Sequence, residues 1–153
     1  SFFLGAMLLM SVAVHSAELV SFDDIRSQYQ SYKDPTRVSY LYNRCAALQL
    51  NVSALLARKG QGQGSKDFEV LAQHYMVLSE ANEREIDKKR GLKSKDTMKT
   101  VHRNVAKVSE LYSKRMSANY SKTGDYVRGD IQIEEELQEC MSPETFVKKI
   151  SKN

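Results

Sequence analysis

The sequence predicts an all-α fold: a bundle of three long helices with shorter helices at both ends, closed by one disulfide. Three observations predict it. Apolar residues, with one polar interruption at Asn82, advance in steps of three and four over residues 38–55, 68–86 and 98–116, which is the period of a helix buried along one face. No stretch alternates apolar and polar residues at period two for long enough to make a strand. Two cysteines, Cys45 and Cys140, stand far apart behind an apolar leader-like segment.

That segment reads SFFLGAMLLMSVAVHSAE, and its first charged residue is Glu18. A membrane-spanning helix needs about 20 apolar residues. Phe2 to Val14 fall short of this and match a secretory apolar region followed by small residues. Cleavage after Ser16 puts Val14 and Ser16 at the recognised positions, whereas cleavage after Ala17 puts bulky His15 there. No basic stretch precedes the apolar run and Ser1 is not a methionine, so the start of the leader is expected upstream. The alternative is an uncleaved anchor. The expected division is a signal peptide over residues 1–17 and a single helical domain over 18–153, periplasmic or secreted.

The elements follow in order. Ser21 with Asp24 resembles a capping box, and Phe22, Ile25, Tyr29 and Tyr32 continue at helical spacing until Pro35 disfavours helix at Asp34. Val38, Leu41, Cys45, Leu48, Val52 and Leu55 form the stripe of the second helix, with Arg44 and Gln49 off its axis. RKGQGQGS then predicts a flexible loop. The third helix is expected from about Ser65, with Phe68, Leu71, Tyr75, Leu78, Asn82 and Ile86 inward, and the cations and glycine of KKRG close it. The fourth is expected from Ser94 or Lys95 to about Lys122, with Met98, Val101, Val105, Val108, Tyr112 and Met116 inward and Gly124 as cap; its length is roughly 42 Å. GDYVRGD is a turn. Ile133, Leu137 and Cys140 or Met141 share one side of a fifth helix. Ser142 caps a sixth that opens on Pro143 and carries Phe146, Val147 and Ile150.

Export fits the cysteines. Disulfides persist in oxidising compartments, and two cysteines allow one pairing, Cys45 with Cys140. On the chain-entropy model that bridge removes about 4–5 kcal/mol of denatured-state freedom, as an upper figure. The alternative is a buried free thiol.

The formal charge of +4 and the absence of tryptophan describe a mildly basic domain, short of a nucleic-acid-binding composition. No nucleic-acid partner is expected. His74 and His102 each stand one position off a packing stripe, and no C-x-x-C-H haem attachment exists. Met98 and Met116 belong to a stripe and read as packing, so no metal or cofactor is expected. Catalysis lacks its parts: Cys45 is expected oxidised and no G-x-S-x-G turn exists. Glu134, Glu135 and Glu136 are consecutive, so they point around a helix instead of converging, and read as solvated or dipole-facing acids.

Charge placement is the informative surface feature. Ten cations between Lys88 and Arg115 face only Asp96 and Glu110, whereas six acids and no base lie between Asp130 and Glu144. Lys95, Lys99, Arg103 and Lys107 step by four and form a basic ridge. The acidic segment is expected to fold back along that ridge. The tip at KKRGLKSK is expected to escape cancellation, which makes Lys88, Lys89, Arg90, Lys93, Lys95, Lys99 and Arg103 the candidate partner-binding residues. Three short motifs carry little weight: RGD at Arg128–Asp130 sits where a turn is needed, NVS at Asn51 lies inside a helix, and NYS at Asn119 is the more accessible sequon.

YLYNRCAALQL, about a dozen residues around Cys45, resembles a helix in uncharacterised small exported helical proteins of marine bacteria and their phages, with its arginine–cysteine–small–small–leucine core. The resemblance implies an exported helical protein and brings no activity. The expectation is therefore an exported non-enzymatic helical protein that binds or assembles with an anionic or macromolecular partner, including peripheral contact with a membrane surface. An exported small-ligand or metal-binding bundle is the alternative, and a hydrolase comes third.

Overall fold

A computed structural model describes residues 18–28, 35–93 and 96–151, the side chains of 26–28 excepted. The expected signal peptide, Tyr29, Tyr32, the helix end near Lys33, and Ser94 and Lys95 lie outside the described residues. The helices are α1 (Phe22–Gln28), α2 (Pro35–Arg58), α3 (Gly62–Lys89), α4 (Thr97–Thr123), α5 (Ile131–Cys140) and α6 (Pro143–Ser151). No strand occurs among the described residues. The chain is an all-α bundle with one disulfide, as its periodicity predicts.

The helix ends follow from local chemistry. The Ser21 hydroxyl accepts from the Asp24 N–H and opens α1. Gly124 closes α4 in the left-handed conformation at φ 77°, and its N–H donates to the Tyr120 carbonyl. Asp130 caps α5, accepting from the Ile133 N–H, and Ser142 caps α6 through the Thr145 N–H. Asp96 holds a left-handed φ of 59° ahead of α4, a conformation that a short polar side chain tolerates better than most.

The predicted glycine loop is shorter than expected. Lys59, Gly60 and Gln61 alone make the turn, and Gly62 and Gly64 already belong to α3. Gly64 lies where a Cβ would come within 3.3 Å of Leu56 Cδ1, so the bare backbone lets α3 start hard against α2.

α2 is the central element. Every residue from Leu41 to Gln49 is buried, which a single stripe does not predict. α3 and α4 pack on it, as do α5 and the segment around Leu19 and Phe22, so positions off the expected axis are enclosed as well. α3 runs antiparallel to α2, shown by the ladder Ser53–Ser65, Asn43–Ser79 and Ser39–Asn82. The deepest row of α3 is Ser65, Ala72, Ser79 and Ile86. Phe68, Leu71, Leu78 and Asn82 of the predicted stripe are half-buried beside it, while Tyr75 is fully buried. Small side chains on the contact line draw the two axes together, and the larger ones then pack along the flanks. α4 carries its predicted stripe, with Val101, Val105, Val108, Tyr112 and Met116 buried and Met98 half-buried.

α1 and α6 complete the core. Phe22 of α1 meets Phe146 of α6 with ring centroids 5.9 Å apart, and Phe146 also packs edge-on to Tyr75 at 5.6 Å. Burying each such apolar side chain contributes about 1.5–3 kcal/mol.

Candidate functional site

The basic run begins at the end of α3. Lys88, Lys89 and Arg90 are exposed there; Gly91 reverses the chain with a φ of 66°, and Leu92 and Lys93 follow it, also exposed. On α4, Lys99, Arg103 and Lys107 are exposed at successive turns, spaced by about 6 Å of helix rise. Lys95 lies outside the described residues. Among the described residues none of these seven cations enters an ion pair, whereas the last two cations of the run do. Lys114 pairs with Glu110 at 2.9 Å, and Arg115 pairs with Asp130 at 2.6 Å. The tip also exposes Leu92, whose surface is 57 % accessible between Arg90 and Lys93.

The expected cancellation of the ridge by the acidic segment is not what the structure contains. Asp130 reaches only Arg115, at the far end of the run. Glu134 accepts from the Gly129 N–H, and Glu139 pairs with Lys149 at 3.1 Å. Glu136 is buried. Glu134, Glu136 and Glu139 of short α5 are thus engaged at its own end of the bundle and on α2, and none pairs with a cation of the α3–α4 tip among the described residues.

Glu136 is the residue that sequence reasoning misplaced, together with Arg44. Neither is solvated: the Arg44 side chain is 0 % exposed and that of Glu136 3 %. Arg44 Nη2 donates to both Glu136 carboxylate oxygens at 2.7 Å, Nε donates to the Tyr112 hydroxyl at 2.8 Å, and Nη1 donates to the Val20 carbonyl at 2.7 Å and to the Tyr40 hydroxyl at 3.4 Å. Every arm of the guanidinium is used. Glu136 also accepts from the Tyr112 hydroxyl and from Gln132 Nε2, which in turn donates to the Leu19 carbonyl. The Arg44 guanidinium lies 5.1 Å from the Phe22 and Tyr112 ring centroids.

The electrostatics fit this closed geometry. Burial opposes charge on Arg44, but the Tyr112 and Glu136 oxygens outweigh it and hold the guanidinium above its ordinary value. Burial, reinforced by Glu136, pushes the Tyr112 hydroxyl well above the usual tyrosine range, so it remains a donor. The cluster ties α2, α4, α5 and the Leu19–Val20 segment together. One residue further along α2 and one turn further along α5, Cys45 and Cys140 form the disulfide, with Cα atoms 5.3 Å apart. Gln49 reinforces the same seam by donating to the Cys140 carbonyl at 2.9 Å.

The remaining candidates fall on ordinary surfaces. His74 is exposed beside a shallow cleft formed with Leu78, Pro143 and Val147, and His102 is exposed on α4. No group of three or more His, Cys, Asp or Glu among the described residues is arranged to hold a metal. No helix among them is long and apolar enough to cross a membrane. Asn119, expected as the accessible sequon, is buried, and its Nδ2 donates to the Asp125 and Arg128 carbonyls. In the RGD tripeptide the aspartate is committed to Arg115 and to the α5 cap. No protein-family model matches the chain, and no curated protein or solved structure matches it either.

Proposed function

We propose that the chain is an exported, non-enzymatic helical protein that docks through its α3–α4 tip on an anionic surface. One observation carries the reading: Lys88, Lys89, Arg90, Lys93, Lys99 and Arg103 are exposed with no acidic partner among the described residues, while Asp130, Glu134, Glu136 and Glu139 of the acidic segment are engaged elsewhere. Lys95 completes the run in sequence. Exposed Leu92 amid these cations suits an interface with lipid headgroups, where an apolar side chain enters the boundary as the cations meet phosphates. The Cys45–Cys140 bridge supports export, since such bonds persist outside the reducing cytosol.

Vesicle sedimentation tests the reading with two compositions, zwitterionic phosphatidylcholine alone and phosphatidylcholine mixed with phosphatidylglycerol. Binding is expected only to the mixed vesicles and is expected to weaken with added salt. Each basic residue near such a surface contributes about 1 kcal/mol, so the variant Lys88→Glu/Lys89→Glu/Arg90→Glu should bind at least roughly a hundredfold more weakly. Unchanged binding by that variant, or none by the wild-type protein, refutes the reading.

A further inference from the structure

A second feature lies on the tip half of the bundle and shares only Lys107 with the basic run. Between α2, α3 and α4 there is a cleft of about 390 Å³, bordered by Ser39, Tyr40, Asn43, Glu83, Asn104 and Lys107. That volume lies at the small end of the range for organic-ligand sites.

Several polar groups at its border have no partner among the described residues. Asn43 is buried, with only 3 % of its surface exposed. Its Oδ1 accepts from the Ser79 hydroxyl at 2.8 Å, which fixes the plane of the amide. The other arm, Nδ2, has no protein partner among the described residues, and Asn43 lines the cleft. The Asn104 carboxamide, also bordering the cleft, is likewise unpartnered among the described residues. Glu83 on α3 and Lys107 on α4 bring opposite charges to the same cleft, yet neither belongs to an ion pair among the described residues. Val108 and the Tyr40 ring supply the apolar wall.

A half-buried carboxylate is best compensated by a cation, and an ammonium by an anion with further donors beside it. A neutral polyol supplies neither charge, and a simple anion answers only one end. A ligand with both charges answers the whole lining. We propose that this cleft binds a small zwitterion of amino-acid or dipeptide size, its ammonium group on Glu83 and its carboxylate on Lys107 and the free N–H of Asn43. The inference is independent of the surface-docking reading above.

The test is amide NMR of the isotopically labelled protein, titrated with glycine, alanine and diglycine, and with acetate, methylammonium and glucose as controls. The zwitterions should shift the Asn43 and Asn104 side-chain amides saturably in the millimolar range, and the three controls should not. Glu83 is half-buried and Lys107 exposed, so Glu83→Gln and Lys107→Met should keep the fold, checked by unfolding midpoint. Each should weaken binding roughly tenfold or more, the size of one lost charge-assisted hydrogen bond. The triple tip variant should bind the zwitterions as the wild type does. The proposal is overturned by an absence of saturable shifts, by glucose or either single-charge control binding equally well, by folded Glu83→Gln and Lys107→Met proteins that bind unchanged, or by loss of binding in the tip variant.

Discussion

Arg44 and Glu136 are 92 residues apart in the chain and form a fully enclosed ion pair, with Arg44 Nη2 at 2.7 Å from both carboxylate oxygens. Cys45 follows Arg44 on α2, and Cys140 lies one turn beyond Glu136 on α5. The same two helices are therefore joined twice, once ionically and once covalently. Burying two charges is costly, and this arrangement offsets the cost because every donor of the guanidinium and both carboxylate oxygens are hydrogen-bonded.

The ion pair predicts strong coupling between its partners. Glu136→Leu leaves a cation with no counter-charge inside the bundle and should cost about 3–5 kcal/mol. Arg44→Met should cost a similar amount, since it strands a carboxylate. The double variant Arg44→Met/Glu136→Leu should be far less destabilised than the sum of the two. Urea unfolding of the four proteins gives the coupling energy directly; additive losses would mean that the pair does not interact.

The covalent tie predicts a second loss. The bridge spans a sequence separation of 95 residues, so Cys45→Ala/Cys140→Ala should lower stability by up to about 4–5 kcal/mol on the chain-entropy model. The denaturation midpoint of the variant against the oxidised protein measures this. Mass spectrometry of unfolded protein should show alkylation at both cysteines only after reduction, and two additions without a reductant would contradict the bridge.

The sequence made the long helices and the cysteine pairing legible because periodicity and composition are local or compartmental signals. The Arg44–Glu136 pair was not legible that way. A charged residue within an apolar run reads as solvent-facing unless the helix is known to be surrounded, and the enclosure of α2 is a tertiary fact. One signal pointed to it nonetheless: once Cys45 is joined to Cys140, the neighbour Arg44 and the residue one turn before Cys140, Glu136, must approach each other. The basic tip was legible as charge, but not its isolation, because the fate of each acid depends on the direction in which α5 leaves the turn. The cleft beside Asn43 was invisible, since it needs three helices to place an amide, a carboxylate and an ammonium together.

The end of α4 predicts a backbone effect. Gly124 holds φ at 77° with open space where a Cβ would stand. Gly124→Ala meets no steric obstacle from neighbours and should still lose about 1–2 kcal/mol, the cost of the left-handed conformation for an L-residue. Asn at this position should lose less, because asparagine tolerates that region better. Thermal unfolding of the two variants should rank them in that order, and equal stability of Gly124→Ala with the wild type would show that the turn relaxes.

The Arg115–Asp130 pair predicts how stability responds to acid. The Arg115 hydrogen bond, aided by the Ile133 N–H, holds the Asp130 carboxyl below its usual range. A carboxylate with a depressed folded-state value binds fewer protons in the native state than in the unfolded one, so stability rises with pH across that interval. The contribution of Asp130 is therefore complete above the unfolded aspartate value of about 3.9 and is lost as pH falls through the lower folded value. Asp130→Asn keeps an oxygen to cap α5 through the Ile133 N–H, and removes the charge together with one of the two oxygens that accept from Arg115. The variant should be less stable than the wild type near neutral pH, and the gap should close as pH falls below about 4. Asp125 is also held low, by the Val127 and Arg128 N–H groups, so the variant should retain some acid sensitivity of its own. Urea midpoints measured from neutral pH down to pH 2 decide the matter: a gap that stays constant on acidification would show that the salt bridge does not act through the charge of Asp130.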